Sequence, residues 1–573
     1  MTNIIKKLAD ENAEAFRNEA HVNSAEEDYS SVPLEEFLHC AKIQRDIESR
    51  LDTKGTNDTA IPFVGFFNFL KDKHAQRNNS QAAIEGSEEK KTGAVGEVAE
   101  VEDGTMVELE NANRLVRNAS WITVFYLITT DILGPTSAPY AISQLGFVPG
   151  TLLYVLFGIC AAYTGWIVYK AFLALDSVQY PLRAYGDVFG RLYGKKAQMF
   201  VDGMQALQLV CNVAVIILGN GQGLYQIAKG KVCSAVLIVI WALAGMIVGQ
   251  IRSLQRFGFL SNLAIWMNLF VCFATMGVVA HTGVNYDAAL TQNGIEKGPI
   301  ITKAVISGSG EHFSLQLQAA MNIVYAYGGA MVFVNFMAEM RRPMDFIKGM
   351  ALAQATIFSC YLLYGLFVYA YQGQFTVNPG NQGINPYGWQ TALNVISLVS
   401  SLIAAALYGN VGIKTIYNSF FKKALHLPAL ETRPGRIAWI ISVIIYWALS
   451  YVIASAIPQF STLTSLVGAV CILQFTYTFP PLIALGLDMQ TSAIKADQPY
   501  DPVTKQTARV DSWKNMSRWT RSFKDKWAKN VFHIVFFLAA AATCVLGIYA
   551  SAVEIKSAYS GDNRTAFSCR PLI

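Results

Sequence analysis

"TTDILGPTSAPYA", Thr129–Ala141, places an aspartate, a glycine and two prolines inside one of the most apolar parts of a 573-residue chain. Proline lacks an amide hydrogen and its ring collides with the preceding turn, while glycine tolerates non-helical dihedrals. Gly134-Pro135 and Pro139 therefore predict a helix that unwinds or kinks near its middle. What such a break means depends on the medium around it.

The medium is lipid. The chain is 53% hydrophobic and only 15% charged, where a soluble protein carries about 25% charged residues. Apolar blocks recur at 120–146, 150–175, 199–228, 233–250, 256–281, 315–340, 347–371, 389–414, 437–456, 460–487 and 531–555. Each is long enough to cross ~30 Å of hydrocarbon as a helix. Backbone polar groups cannot stay unpaired in lipid, and the short alternating segments of a membrane barrel are missing from the sequence. The predicted class is an all-α polytopic membrane protein with about eleven transmembrane helices.

Lysine and arginine set the expected orientation. The second connection has Arg183, Arg191, Lys195 and Lys196, the sixth Arg341, Arg342 and Lys348, and the tenth is densely basic. The alternating connections are poorer in positive charge, with Lys229, Lys231, Lys297 and Lys303 as exceptions. Excess positive charge marks the cytoplasmic side, so the amino terminus is expected inside and the carboxyl terminus outside. The expected location is the plasma membrane, with the vacuolar membrane as the alternative.

Three regions follow: an acidic, largely disordered cytoplasmic tail over 1–117, a transporter domain over 118–556, and a short extracellular or lumenal tail over 557–573. Within the first tail, Leu34, Phe37, Leu38 and Ala41 fall at helical spacing and predict a short amphipathic helix. The first residues are polar, so no cleavable signal peptide is expected. Cys233 and Cys569 both fall on the expected outer side, where they could pair.

Enzyme signals are missing from the sequence. It has no Walker A motif and no His-Glu-x-x-His zinc pattern, and no cysteines at metal-ligand spacing. The expectation is a protein without cofactor or metal, binding no nucleic acid, whose partners are the bilayer and a small solute. The oligomeric state is left open.

In a membrane, broken helix is tolerated where it is buried in protein or lines a wet cavity. A break creates a half-helix C-terminus, which attracts a cation, and a half-helix N-terminus, which attracts an anion. An amino-acid zwitterion carries both charges; a kink that only assists packing is the plainer alternative. A second break falls in the sixth span, "NIVYAYGGAMVFVNFMAEM", at Tyr327-Gly328-Gly329. Interruptions in spans one and six are what two inverted five-helix repeats produce, with a site at mid-membrane. Gln205, Gln208 and Asn212 share one face of the third span, and Asn394, Ser397 and Ser401 one face of the eighth. Both stripes serve either helix–helix hydrogen bonding or a cavity wall.

Three stretches together resemble the amino acid/auxin permease family. "APYAISQLGFVPG" (Ala138–Gly150) is similar to its signature at the end of the first span. "YPLRAYGDVFGRLYGKKAQ" (Tyr180–Gln198) resembles its first large cytoplasmic loop, and "AEMRRPMDFIKGM" (Ala338–Met350) the pattern after its sixth span. The long acidic tail resembles the fungal neutral amino-acid permease branch. The resemblance implies a leucine-transporter-like fold and a proton- or sodium-coupled amino-acid transporter working by alternating access. It implies Gly134, Thr136 and Ser137 near the substrate carboxylate, and Tyr327, Gly328 and Gly329 near its amine and side chain. Ser397 of the eighth span is a further candidate. The family's first glycine position is Ile132 here, and Pro135 offers no backbone donor.

Asp131 is the candidate ion-coupling residue. An ionisable side chain at mid-membrane is costly and marks a functional position, although an aspartate can also cap a half-helix. The expected function is proton-coupled symport of neutral amino acids, large or aromatic ones, with sodium as the other coupling ion to consider. The alternative is a non-transporting amino-acid sensor on the same scaffold.

Overall fold

Eleven apolar segments order the chain in the computed structural model, which describes residues 32–50, 119–252, 254–306, 312–417, 433–457, 459–498, 500–502, 507–560, 567 and 569. The described residues form helices without a strand. Nine helices among them are long and apolar enough to cross a membrane. The remaining two expected spans are the interrupted first, Trp121–Ile132 with Ala138–Leu145, and the shorter fourth, Ser234–Val248. The third, fifth, seventh and eighth spans are Lys195–Ile227, Leu254–His281, Phe346–Gln372 and Tyr387–Ile416, and the ninth is Arg433–Ala456.

Contacts between spans carry the symmetry that the two breaks imply. The first span packs on the sixth, the second on the seventh, the third on the eighth and the fourth on the ninth. The first also packs on the fifth as the sixth does on the tenth. Two five-span repeats related by a two-fold axis generate this pairing, with the interrupted members nearest the axis. The eleventh span, Trp527–Ser560, lies outside the repeats against the sixth and tenth.

Lipid tails are as apolar as leucine, so close packing rather than hydrophobic burial joins such helices. The seventh span illustrates how. A Cβ on Gly349 would stand 2.6 Å from the Trp121 carbonyl, and one on Gly365 2.7 Å from Ile142 Cδ1. These two glycines let the seventh span lie against both halves of the first, on either side of its break. Backbone pairs also clamp the first span to the sixth at both ends. The Ala119 N–H donates to Glu339 O and the Arg341 N–H to Ala119 O (3.0 and 3.1 Å). At the other end, the Ile306 N–H, in the segment before the sixth span, donates to Leu145 O (3.2 Å), and Phe147 and Val148, which open the second span, Phe147–Leu175, donate to Lys303 O and Ala304 O.

One end of the bundle, here termed basal, carries the helix expected around residue 34. It spans Leu34–Arg50 and buries Leu34, Phe37 and Ala41. Glu35 pairs bidentately with Arg509 (3.1 and 2.9 Å), Glu36 accepts from the Tyr180 hydroxyl (2.6 Å), and Arg45 reaches buried Asp176 (3.3 Å). Beneath it Arg518 joins Asp497 and Asp511 (2.7 and 3.0 Å), and Arg521 also holds Asp511 (2.8 Å). At the opposite, apical end, Cys233 and Cys569 form a disulfide. The rest of the amino-terminal tail expected to be disordered lies outside the described residues.

Candidate functional site

The inner half of the first span ends at Ile132, and the Leu133 N–H closes its last turn on Thr129 O (2.7 Å). Gly134 follows with φ −147° and ψ 69°, and a 3-10 turn over Pro135–Ser137 starts the second half. Gly134 is exposed, and a Cβ there would meet nothing within 4 Å. The break therefore opens onto free space. Tyr361 of the seventh span spans it: its hydroxyl accepts from the Gly134 N–H (3.1 Å) and donates to Ile132 O (2.8 Å). One side chain thus serves an orphan group on each side of the interruption.

The fifth and eighth spans secure the inner half. Asn268 Nδ2 donates to Leu133 O (2.9 Å), and the Ser400 hydroxyl donates to Asn268 Oδ1 (2.6 Å). The Thr130 hydroxyl donates to Ser261 O (2.9 Å). In the second half, Pro135 and Pro139 have no N–H, the Gly134 N–H is held by Tyr361, and that of Ala138 returns to Pro135 O. The first turn thus offers an anion the Thr136 amide, with the half-buried Thr136 and Ser137 side chains beside it. The Asp131 side chain lies outside the described residues, though its backbone is in the last turn of the inner half.

The sixth span is interrupted where expected. Helix His312–Tyr325 passes through turns at 326–329 and a 3-10 turn, Ala330–Val332, into helix Phe333–Glu339. Tyr327 is 1% exposed and its hydroxyl donates to Tyr154 O (2.9 Å). Its ring lies 6.2 Å from that of Tyr154 and 6.4 Å from that of Tyr361, so three tyrosines join the two breaks. Gly328 faces a neighbour, not open space: a Cβ would come within 2.5 Å of Ile472 Cδ1. Ile472 closes the first of two π turns that widen the tenth span, Phe460–Ile494, at Gly468–Ile472 and Gln474–Thr478. Such turns re-aim side chains without ending a helix.

Amides of the third span approach the second break. Gln205 Nε2 donates to Met331 O (2.9 Å). Gln205 Oε1, Gln208 Oε1 and Asn212 Oδ1, and Asn322 Nδ2 from the sixth span, are buried without a protein partner. A buried polar atom without a partner costs about 1–3 kcal/mol, so each of these atoms calls for a water or another polar group.

The apical approach is covered by the connection between the seventh and eighth spans. Its residues Gly380–Gly383 are all buried. A Cβ on Gly380 would stand 3.1 Å from Thr136 O. Asn394 accepts from Asn381 (2.7 Å) and donates to Gln226 Oε1 (2.7 Å), which ties this connection to the third and eighth spans.

Of the residues singled out from sequence, Gly134 lies beside free space, and Thr136 and Ser137 follow it half-buried in the first turn of the second half. Gly329 starts the 3-10 turn of the sixth span. Tyr327 and Gly328 are packed against the second and tenth spans. Ser397 is half-buried on the eighth, one turn before Ser400. Sequence reasoning missed Tyr361, Asn268 and Ser400. Asn268 left a signal, as a lone amide in the apolar run "AIWMNLFVCF"; Tyr361 is one tyrosine among several in its span.

Comparison with known proteins agrees with this architecture. Residues 117–497 match the family described as transmembrane amino acid transporter protein. The chain belongs to that family. This transporter is 24% identical over 525 residues to the N amino acid transport system protein of Neurospora crassa, covering 88% of this chain and 100% of the relative. It is 23% identical over 500 residues to a transmembrane transporter of Fusarium pseudograminearum, covering 84% and 95%. Similarity extends to amino acid permease 1 of Arabidopsis thaliana, 22% identical over 433 residues and covering 68% and 86%.

Proposed function

We propose that this amino acid transporter carries neutral amino acids, large or aromatic ones, in symport with protons by alternating access. Its basal end, which holds the basic connections, faces the cytoplasm. The substrate carboxylate binds the Thr136 amide with the hydroxyls of Thr136 and Ser137, at the N-terminus of a half-helix. Its amine lies toward the C-terminal carbonyls of the inner half, and its side chain toward the sixth-span break around Gly329. The observation that carries this reading is the first-span break opening onto free space between a half-helix N-terminus and C-terminus. The tyrosines and amides around it are uncharged, which suits a neutral side chain.

Asp131 holds the coupling proton in this reading. Alternating access then requires the Gly380–Gly383 connection to leave Thr136 while the inner half of the first span closes the basal side. The test is flux into proteoliposomes with and without an imposed pH gradient. Wild-type protein concentrates neutral amino acids when the gradient is present. Asp131→Asn mimics the protonated carboxyl, keeps one hydrogen-bonding oxygen, and loses concentration while retaining exchange. Concentration by that variant with an unchanged pH profile removes Asp131 from coupling. Binding by the wild type without any flux would identify a sensor instead.

A further inference from the structure

The end of the inner half-helix is where a transporter with broken helices collects a coupling cation, because the last carbonyls there carry the negative end of the dipole. In this chain a neutral amide already stands at that point. Asn268 donates to Leu133 O, and its orientation is chemically determined: a carbonyl can only accept, so the NH₂ faces Leu133, and the Ser400 hydroxyl donates to the amide oxygen. Asn394, Gln226 and Asn381 form their chain elsewhere, near the apical connection, and do not share this contact. The Ser400 hydroxyl also lies 3.3 Å from Ala264 O, one turn before Asn268, which holds the eighth span to the fifth.

We propose that Asn268, positioned by Ser400, is a fixed uncharged substitute for a coupling cation at this junction, so that the transport cycle makes and breaks an amide hydrogen bond there and takes up no sodium. The proposal rests on the first-span break being the transport site. Its physical content is that an amide N–H supplies partial positive charge to Leu133 O without adding a net charge to the translocated load. Opening the junction requires the first span to part from the fifth, and the Asn268–Leu133 bond must yield together with the Thr130–Ser261 bond, of which only the former lies at the break. Asn268 and Ser400 act through the backbone of the break and are positioning residues.

The charge-bearing replacement distinguishes this role from simple packing. Asn268→Asp retains the shape but removes the donor, and sets a carboxylate against Leu133 O and the Ser400 hydroxyl, a set of oxygens that calls for a cation. The purified full-length protein is compared in sodium chloride and in choline chloride, by thermal unfolding and by amino-acid exchange in proteoliposomes. Wild-type protein should unfold at the same temperature and exchange at the same rate in both salts. Asn268→Asp should unfold earlier and exchange about tenfold more slowly in choline, the order expected for one lost buried partner, and sodium should restore both. Asn268→Ala should be impaired equally in the two salts.

Sodium-dependent stability or exchange in the wild type overturns the proposal, as does an Asn268→Asp protein indifferent to sodium. If Asn268→Asp does not fold, Ser400→Ala decides: slower exchange without a sodium requirement supports the role, and wild-type exchange overturns it. A wild-type protein that exchanges no amino acid in either salt contradicts the proposed function, whereas the unfolding comparison still reads the cation question by itself.

Discussion

Replacing Tyr361 with phenylalanine removes one oxygen and leaves the ring. The ring contacts with Tyr154 and Tyr327, at 6.2 and 6.4 Å between centroids, stay in place, so packing between the breaks is retained. The two groups that the hydroxyl serves do not fare equally. Gly134 is exposed and its N–H can turn to water, whereas Ile132 is 6% exposed and its carbonyl is left in an apolar setting. The loss is then about one buried unsatisfied group, about 1–3 kcal/mol, which corresponds to roughly 5- to 150-fold in an equilibrium or rate. Exchange of radiolabelled amino acid in proteoliposomes should fall within that range, while the protein is still delivered to the membrane and elutes as one species. Exchange by Tyr361→Phe at the wild-type rate would refute the idea that this hydroxyl holds the break in its working shape.

Gly328→Ala should lower stability by about 1–3 kcal/mol through overpacking against Ile472, and Ile472→Ala in the same chain should recover most of it; an undiminished defect in the pair would reassign that space to the substrate. An epitope at exposed Lys297 should be labelled on intact cells and one at exposed Lys514 only after permeabilisation; the reverse would invert the orientation taken from the positive charges. The carboxylates of Asp497 and Asp511 should not contribute to pH dependence between pH 5 and 8. Arg521 and then Arg518 hold Asp511 at about 2; burial alone would raise Asp497, but its bonds to Arg518 prevail and lower it. A carboxyl depressed on folding contributes stability above its unfolded value of about 3.9, lost as pH falls through the folded one. Limited proteolysis of the 495–526 connection should therefore be unchanged down to pH 5; increased cleavage between pH 7 and 5 would contradict these ion pairs.

Span positions were legible because length and hydropathy are properties of contiguous residues. The helix expected at 347–371 is Phe346–Gln372, and that expected at 389–414 is Tyr387–Ile416. The break at Gly134-Pro135 was equally legible, since a missing amide hydrogen acts on its own turn whatever surrounds it. The pairing of Cys233 with Cys569 was open from sequence and is made in the folded chain. The interruption at Tyr327-Gly328-Gly329 was read correctly as a break, but its surroundings were not readable. A glycine has the same local signature whether a ligand or Ile472 fills the space beside it.

The partners of the break belong to the tertiary structure. Tyr361 lies more than two hundred residues from Gly134, and Asn268 reaches Leu133 from another span. Whether either side chain meets the first span depends on the rotation of its helix about its axis. That rotation is set by close approaches such as Gly349 to Trp121 and Gly365 to Ile142, which no local pattern encodes. The sequence by itself determined where the chain crosses the membrane and where it must unwind. Only packing of the spans decided which hydroxyl and which amide satisfy the unwound backbone, because those bonds join residues that become neighbours only after the helices have docked.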